Sequence, residues 1–402
     1  MMSTKLLSFL FAVLVLTGCA SVKTKDNSNN QTVVLVSLDA FRWDFDSIYG
    51  TPVLHDIADK GVSAKELMPS FPTKTFPNHY SIVTGLYPDH HGIINNSFYA
   101  PDLDMTYRIG DRNMVKNPAF YGGEPIWVTA HKAGMVTASF FWVGSEAIHP
   151  DYWKEFDNKV DYGARIDTVL KWLSYPVSKR PRLITLYYEE PDATAHTFGP
   201  VSQQTGKMVH RLDSLMGVLR EGLKKVPDGS NIDLIILSDH GMGEIDRSRY
   251  NNILDTLPKR MLKSIVGGSP VWGCIPVEGK TDSILYLINI QKGVKAYRKS
   301  DLPEEWHYGT NPRMPEIIIV ADPRWQVGIR AELPGPNKGD HGYTREWREM
   351  HSIFYAEGPA FRKGYKIDYL NNVDVYDIIC HILRLTPAPN DGDEKRIAPL
   401  FR

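Results

Sequence analysis

Short apolar runs, each long enough for one strand and lacking polar alternation, recur along the chain between helical patterns. The first is Val33-Val34-Leu35-Val36-Ser37-Leu38. A run of this kind is a strand buried on both faces, which in a soluble chain means a sheet covered by helices on each side. Leu183-Ile184-Thr185-Leu186-Tyr187-Tyr188 and Leu234-Ile235-Ile236-Leu237 repeat the character, and Ile317–Val320 and Ser352–Tyr355 are two further candidates. Helical patterns lie between them, at Ile166 to Leu173 and at Met208 to Val226, the latter stopped by Pro227-Asp228-Gly229. The alternation predicts an α/β fold with a mostly parallel central sheet flanked by helices on both faces. From about Arg247 to Gly335 the pattern loses period and gains Gly, Pro and Trp, which reads as a smaller lobe inserted in a main domain spanning 33–402.

The amino terminus reads as an address. Lys5 precedes an apolar run from Leu6 to Leu16 that is too short for the ~20 residues a membrane span needs. It leads into Leu16-Thr17-Gly18-Cys19, similar to a lipobox. The expectation is a signal peptide over 1–18 and a lipid on Cys19. Residues 19–32, polar through ASVKTKDNSNNQT, would then be a flexible tether, and the protein would be held at a bacterial cell envelope membrane. The remaining composition is ordinary, with 42% hydrophobic and 23% charged residues and a net charge of -1. That balance argues against disorder and against a basic nucleic-acid-binding face. With three cysteines there is no disulfide framework, and Cys274 and Cys380 are expected as two buried free thiols rather than a pair.

In open α/β sheets functional residues gather beyond the carboxyl ends of the strands. The first strand ends in Asp39. The second leads into Glu189-Glu190-Pro191-Asp192 and on to His196, and the third ends in Ser238-Asp239-His240-Gly241. Gly339-Asp340-His341-Gly342 stands just before the candidate strand at Ser352. Each alone has an ordinary explanation, such as a helix cap for Asp39 or a surface pair for Asp192 and His196 at i, i+4. Together they form a six-ligand nitrogen and oxygen set without a thiolate, suited to zinc or a similar divalent ion. Two ions with three protein ligands each would leave open positions. A nucleophile is available in PSFPTKTFPNH: Pro77 fits a first helical turn, placing Thr75 at the positive end of a helix, where it either caps or reacts.

PTKTFPNHYSIVTGLYPDHHGI, EEPDATAHTFGP, LSDHGM and GDHGY, in this order, resemble the nucleotide pyrophosphatase/phosphodiesterase family of the alkaline phosphatase superfamily. The resemblance covers about Val33 to Leu385. It implies an alkaline phosphatase-like fold and two zinc ions. Asp192, His196 and His341 would hold one, and Asp39, Asp239, His240 and the Thr75 oxygen the other. It further implies Thr75 as nucleophile through a phospho-threonine intermediate, with Asn96 donating to a phosphate oxygen. Phe76, and by rough alignment Phe156 in the Gly144 to Lys159 segment, stand where the family stacks a base.

The implied activity is cleavage of nucleotide phosphodiester and pyrophosphate bonds to nucleoside 5′-monophosphates by a monomer with no sequence-specific nucleic-acid partner. A choline-phosphodiester or sphingomyelin-type hydrolase stays open, because aromatic rings also cage quaternary ammonium groups. A phosphate monoesterase would want extra cations, and no arginine is near Thr75 in sequence; Lys74 is expected to point away. His79, His90, His91 and His351 read as structural or supporting groups.

Overall fold

The computed structural model describes residues 30–331 and 335–402. The signal peptide, Cys19 and most of the tether expected from the sequence lie outside the described residues. Gln31–Arg402 is one compact unit that carries every described strand and helix. Its first strand, β1, is Thr32–Leu38, so Thr32 belongs to the sheet and not to the tether; this β-branched residue is buried and pairs with Ile232.

Eight strands form the central sheet. In chain order they begin with β1, β2 (Val62–Met68), β3 (Thr137–Phe140), β4 (Tyr152–Lys154), β5 (Leu183–Tyr188) and β6 (Ile232–Leu237). After an inserted lobe containing β7 to β10 come β11 (Ser352–Glu357) and β12 (Tyr365–Asn371). Across the sheet the order is β12-β2-β11-β6-β1-β5-β3-β4. β1 lies between β5 and β6, parallel to both, in the register Val33↔Leu183 and Thr32↔Ile232. This central place explains its nearly continuous apolar run, since both faces are covered and all seven residues are buried. The edge strand β12 shows alternating exposure instead.

The Ser352 run predicted from sequence is β11, and it is antiparallel to both neighbours, β6 and β2. Its amino end therefore meets the edge to which the other strands bring their carboxyl ends. The Ile317 run is not part of this sheet. It is β10 (Ile317–Ala321), within the lobe's antiparallel sheet of order β7-β8-β10-β9, with β7 Leu262–Gly268, β8 Val271–Pro276 and β9 Val294–Arg298. That sheet has its own apolar cluster, including Ile284, Ile288, Ile317 and Ile319. Periodicity could not separate the two sheets, because a short β-rich run looks alike in either.

Helices pack in two groups. Helix α1 (Pro52–Lys60), α3 (Tyr162–Leu173) and α4 (Asp192–Phe198) gather on the long α5 (Gln203–Leu223), while α2 (Thr75–Thr84) packs on α6 (Asp374–Leu383), which contacts β1. Two helices start earlier than their apolar patterns suggest, because polar caps set the start: Asp161 accepts from Gly163 and Ala164 N–H groups, and Ser202 from Thr205. Cys274 in β8 and Cys380 in α6 are buried and unpaired. No described helix is long and apolar enough to cross a membrane.

Candidate functional site

Every strand end singled out in the sequence reaches one edge. Asp39, Asp239 and His240 form one buried cluster and Asp192, His196 and His341 a second; within each, the ligand atoms lie within 4.8 Å of one another. The clusters adjoin, with the His240 and His341 rings stacked at 3.7 Å. Asp192 and His196 share one face of α4 with 3.4 Å between Oδ1 and Nε2, and His341 Nε2 is 3.5 Å from the same oxygen.

The three imidazoles are held alike. Nδ1 of His240, His196 and His341 donates to the carbonyls of Gly241, Gly339 and Thr73 at 2.9, 2.8 and 2.8 Å. This fixes the tautomer and leaves each Nε2 lone pair facing the cluster, the arrangement of a metal-ligating histidine. The carboxylates are presented equally clearly. Asp39 Oδ2 accepts from the Tyr187 hydroxyl at 2.6 Å, while Asp39 Oδ1 and Asp192 Oδ1 are buried with no hydrogen-bond partner. Asp239 Oδ2 is also unsatisfied, meeting only the ring nitrogens of His240 and His79 at 3.0 and 3.2 Å. Orphaned carboxylate oxygens in a dry site are costly. A dication at each cluster removes that cost, so the residues fit metal ions.

The electrostatics point the same way. Burial, and then the charge of Asp239, push the Asp39 carboxyl well above its ordinary range. Burial also opposes ionisation of Asp239, but His240 and His79 outweigh it and hold this carboxyl low. Burial, followed by His240 and Lys74, keeps the His341 imidazole neutral.

Thr75 is the first residue of α2, not its cap; Lys74 holds the cap position and makes no side-chain cap bond. The Thr75 Oγ1 stands 3.3 Å from His240 Nε2, at the positive end of a ten-residue helix. Lys74 turns away, as expected, to donate to the Ser269 carbonyl at 2.7 Å. Asn96 accepts the Phe76 backbone N–H through Oδ1 at 3.0 Å, which leaves its amide N–H groups as donors.

A cavity of about 320 Å³ opens from Asp39, Thr75 and Asp192, and Phe76 and Phe156 both line it. Arg112, Glu146, Asn158 and Glu189 line it too; Glu189 opens the EEPDATAHTFGP motif and Glu146 and Asn158 fall in the Gly144 to Lys159 segment, but none is singled out as a site residue by the sequence alone. Glu146 pairs with Arg112 and accepts the Phe156 N–H at 2.7 Å, so it orients an aromatic wall; Glu189 pairs with Arg165 at 2.7 Å. Tyr187 was hidden differently. It sits inside the β5 run, where an aromatic reads as core, yet its hydroxyl reaches Asp39. Among the remaining histidines, His79 supports the site: Nε2 meets Ser37 Oγ at 2.8 Å, and Nδ1 meets the Thr75 carbonyl at 3.0 Å. His90, His91 and His351 bind Asp391, Ser81 and Glu66, away from both clusters.

The family model described as type I phosphodiesterase / nucleotide pyrophosphatase matches residues 33–344. The chain is 37% identical over 387 residues to human ectonucleotide pyrophosphatase/phosphodiesterase family member 1, covering 92% of this chain and 42% of that protein. It is 35% identical over 393 residues to human family member 5, covering 96% of this chain and 80% of that one. Venom phosphodiesterase CdcPDE of Crotalus durissus collilineatus is 37% identical over 92% of the chain and 46% of its own length. The chain thus spans about half the length of several curated relatives it matches. Among solved structures, murine ectonucleotide pyrophosphatase / phosphodiesterase 5, as an inactive threonine-to-alanine variant in complex with AMP, superposes with a TM-score of 0.88. It is 33% identical, over 92% of this chain and 100% of that one. On the family match and these relatives together, the chain belongs to the type I phosphodiesterase / nucleotide pyrophosphatase family.

Proposed function

We propose that the protein hydrolyses phosphodiester and pyrophosphate bonds of nucleotides, releasing nucleoside 5′-monophosphates. The observation that carries this reading is the Thr75 hydroxyl, 3.3 Å from His240 Nε2, on a cavity bounded by Asp39 and Asp192 and walled by Phe76 and Phe156. Asp39, Asp239 and His240, with the Thr75 oxygen, would hold one divalent ion, and Asp192, His196 and His341 a second. The nitrogen and oxygen donor set favours zinc. When bound, such ions lower the pKa of a hydroxyl and offset charge gathering on phosphoryl oxygens.

The chain's own groups do the rest. Thr75 Oγ gives its proton to solvent water and attacks phosphorus in line; the new Oγ–P bond forms as the bond to the leaving oxygen breaks, and the leaving group departs as the oxyanion, taking a proton from solvent where its basicity requires. The Asn96 amide donates to a non-bridging oxygen, and the amino end of α2 favours the negative charge there. Water then cleaves the phospho-threonine and returns the proton to Thr75. Phe76 and Phe156 present ring surface to a base, worth ~1–3 kcal/mol per stacked base and tolerant of its identity. The AMP held by the murine neighbour supports a nucleotide here. Glu146 and Glu189 of the cavity wall are paired with Arg112 and Arg165, so a quaternary ammonium there would have to rely on the aromatic rings. Lipidation at Cys19, residence at a bacterial envelope membrane and a monomeric state complete the proposal.

The test is turnover by the chain starting at Ala20, with zinc, of p-nitrophenyl thymidine 5′-phosphate, p-nitrophenyl phosphocholine and p-nitrophenyl phosphate, each repeated with Thr75→Ala. Preference for the nucleotide diester that vanishes with Thr75→Ala supports the proposal. Preference for phosphocholine, or for the monoester, refutes the substrate class.

A further inference from the structure

We propose that the edge of the central sheet opposite the metal clusters is a docking surface for an anionic lipid bilayer. A hollow of about 350 Å³ opens there, lined by Lys60, Arg220, Lys224, Lys363 and Arg402 against a single carboxylate, Glu357. Glu357 and Asp56 are taken by Arg220 at 2.6 Å each, and Asp56 also receives Lys60 at 2.8 Å. Lys224 meets Glu221 one turn away on an exposed face, where such a pair is weak. The Arg402 guanidinium donates through Nε to the Phe361 carbonyl and lies near the buried Asp233 carboxyl, and Lys363 has no partner among the described residues. The hollow therefore keeps a surplus of exposed positive charge.

Its position gives the charge a meaning. Ile232, which lines the hollow, is the first residue of β6 and pairs with Thr32, the first residue of β1. The polypeptide thus enters the folded unit beside the basic hollow. Only the eleven residues Ala20 to Asn30 separate that point from Cys19. At ~3.3–3.6 Å per residue they reach at most about 40 Å, and Lys23 and Lys25 add two more cations against Asp26. Asp39, at the other end of β1, lies seven residues and roughly 20 Å away at ~3.3 Å per residue. A bilayer against the hollow leaves the cavity open to solute.

The inference rests on the lipid-anchor reading of Cys19 for its setting, but the surface is tested without the lipid. The chain starting at Ala20, which retains the whole compact unit, is sedimented with vesicles of phosphatidylcholine alone or mixed equally with phosphatidylglycerol, at low and high salt. Binding only to the anionic vesicles, lost at high salt, is expected. At roughly fivefold per cation near an anionic surface, Lys224→Glu with Lys363→Glu weakens that binding at least tenfold. The exposed lobe pair Lys263→Glu with Lys292→Glu leaves it unchanged. Equal binding to both vesicle types, or equal loss in both double variants, overturns the proposal. Turnover of p-nitrophenyl thymidine 5′-phosphate stays at the parent level in both, which reports an intact fold and keeps the hydrolase reading separate. The mass of the mature full-length protein reports on Cys19 independently.

Discussion

Tyr187→Phe isolates one hydrogen bond behind the first metal cluster. The hydroxyl donates to Asp39 Oδ2 at 2.6 Å, and both side chains are buried. Removing the oxygen leaves the ring in place and deprives the ionised carboxylate of its sole donor on that oxygen. A hydrogen bond to a charged group contributes ~1.5–3 kcal/mol, and the second oxygen, Oδ1, has no hydrogen bond to compensate. Burial and Asp239 already push the Asp39 carboxyl up. Losing the donor pushes it further and makes the deprotonation that metal binding requires harder. The expected result is about 10–100-fold weaker zinc binding, the effect of losing a ligand's hydrogen-bonding support. The deficit grows as pH falls, because protons compete more strongly for Asp39. Zinc titration against a competing chelator, followed by recovery of p-nitrophenyl thymidine 5′-phosphate turnover, measures it. At saturating zinc turnover recovers most of its parent value. An affinity within twofold of the parent at every pH would refute the assignment of Asp39 as a ligand tuned by Tyr187.

Other consequences are as direct. Phe76→Ala or Phe156→Ala each raises KM for the nucleotide diester by an amount equivalent to ~1–3 kcal/mol while leaving p-nitrophenyl phosphate cleavage nearly unchanged; equal losses on both substrates would show the rings to be packing only. Chelation abolishes turnover and stoichiometric zinc restores it, read on the same protein sample. Asp233 is buried and its carboxyl is pushed up to about 7, chiefly by burial. The folded state therefore binds its proton more tightly than the unfolded state between pH ~4 and ~7, and this contribution to stability is lost as pH rises through that window. Its full size is on the order of 4 kcal/mol at ~1.4 kcal/mol per pH unit, and urea midpoints across pH show a flatter profile for Asp233→Asn. Finally, Cys274 and Cys380 of the chain starting at Ala20 react with a thiol reagent only on unfolding, giving two equivalents, since both are buried and free.

Much of the site is visible in sequence because strand ends concentrate it. Asp39, Asp192, Asp239 and His240 each follow a run whose buried character is plain, and the topology carries them to one edge. His341 is legible only through its motif, since it follows a two-residue strand, Gly339–Asp340, outside the central sheet, and the rule about carboxyl ends does not apply to it. The cavity wall is less legible. Glu146 and Asn158 come from irregular segments and Arg112 opens a four-residue helix too short to show a period, so their placement depends on tertiary packing. The Ile317 run misleads for a related reason: a strand's composition reports that it is covered, not by which sheet.

The lobe leaves the main fold after Asp239 and His240 and returns at His341, so one residue of the second cluster stands on its returning strand of chain while both flanks are pinned at the same edge. The exposed turns between these flanks can therefore change in length and sequence, while the carbonyls of Gly241 and Gly339 stay to hold His240 and His196 and the inner face of the lobe, with Val271, Ile318 and Val320, stays packed on the main core. The same architecture makes the lobe a place where new recognition can be tried at little risk to the reaction, provided the return to His341 is kept.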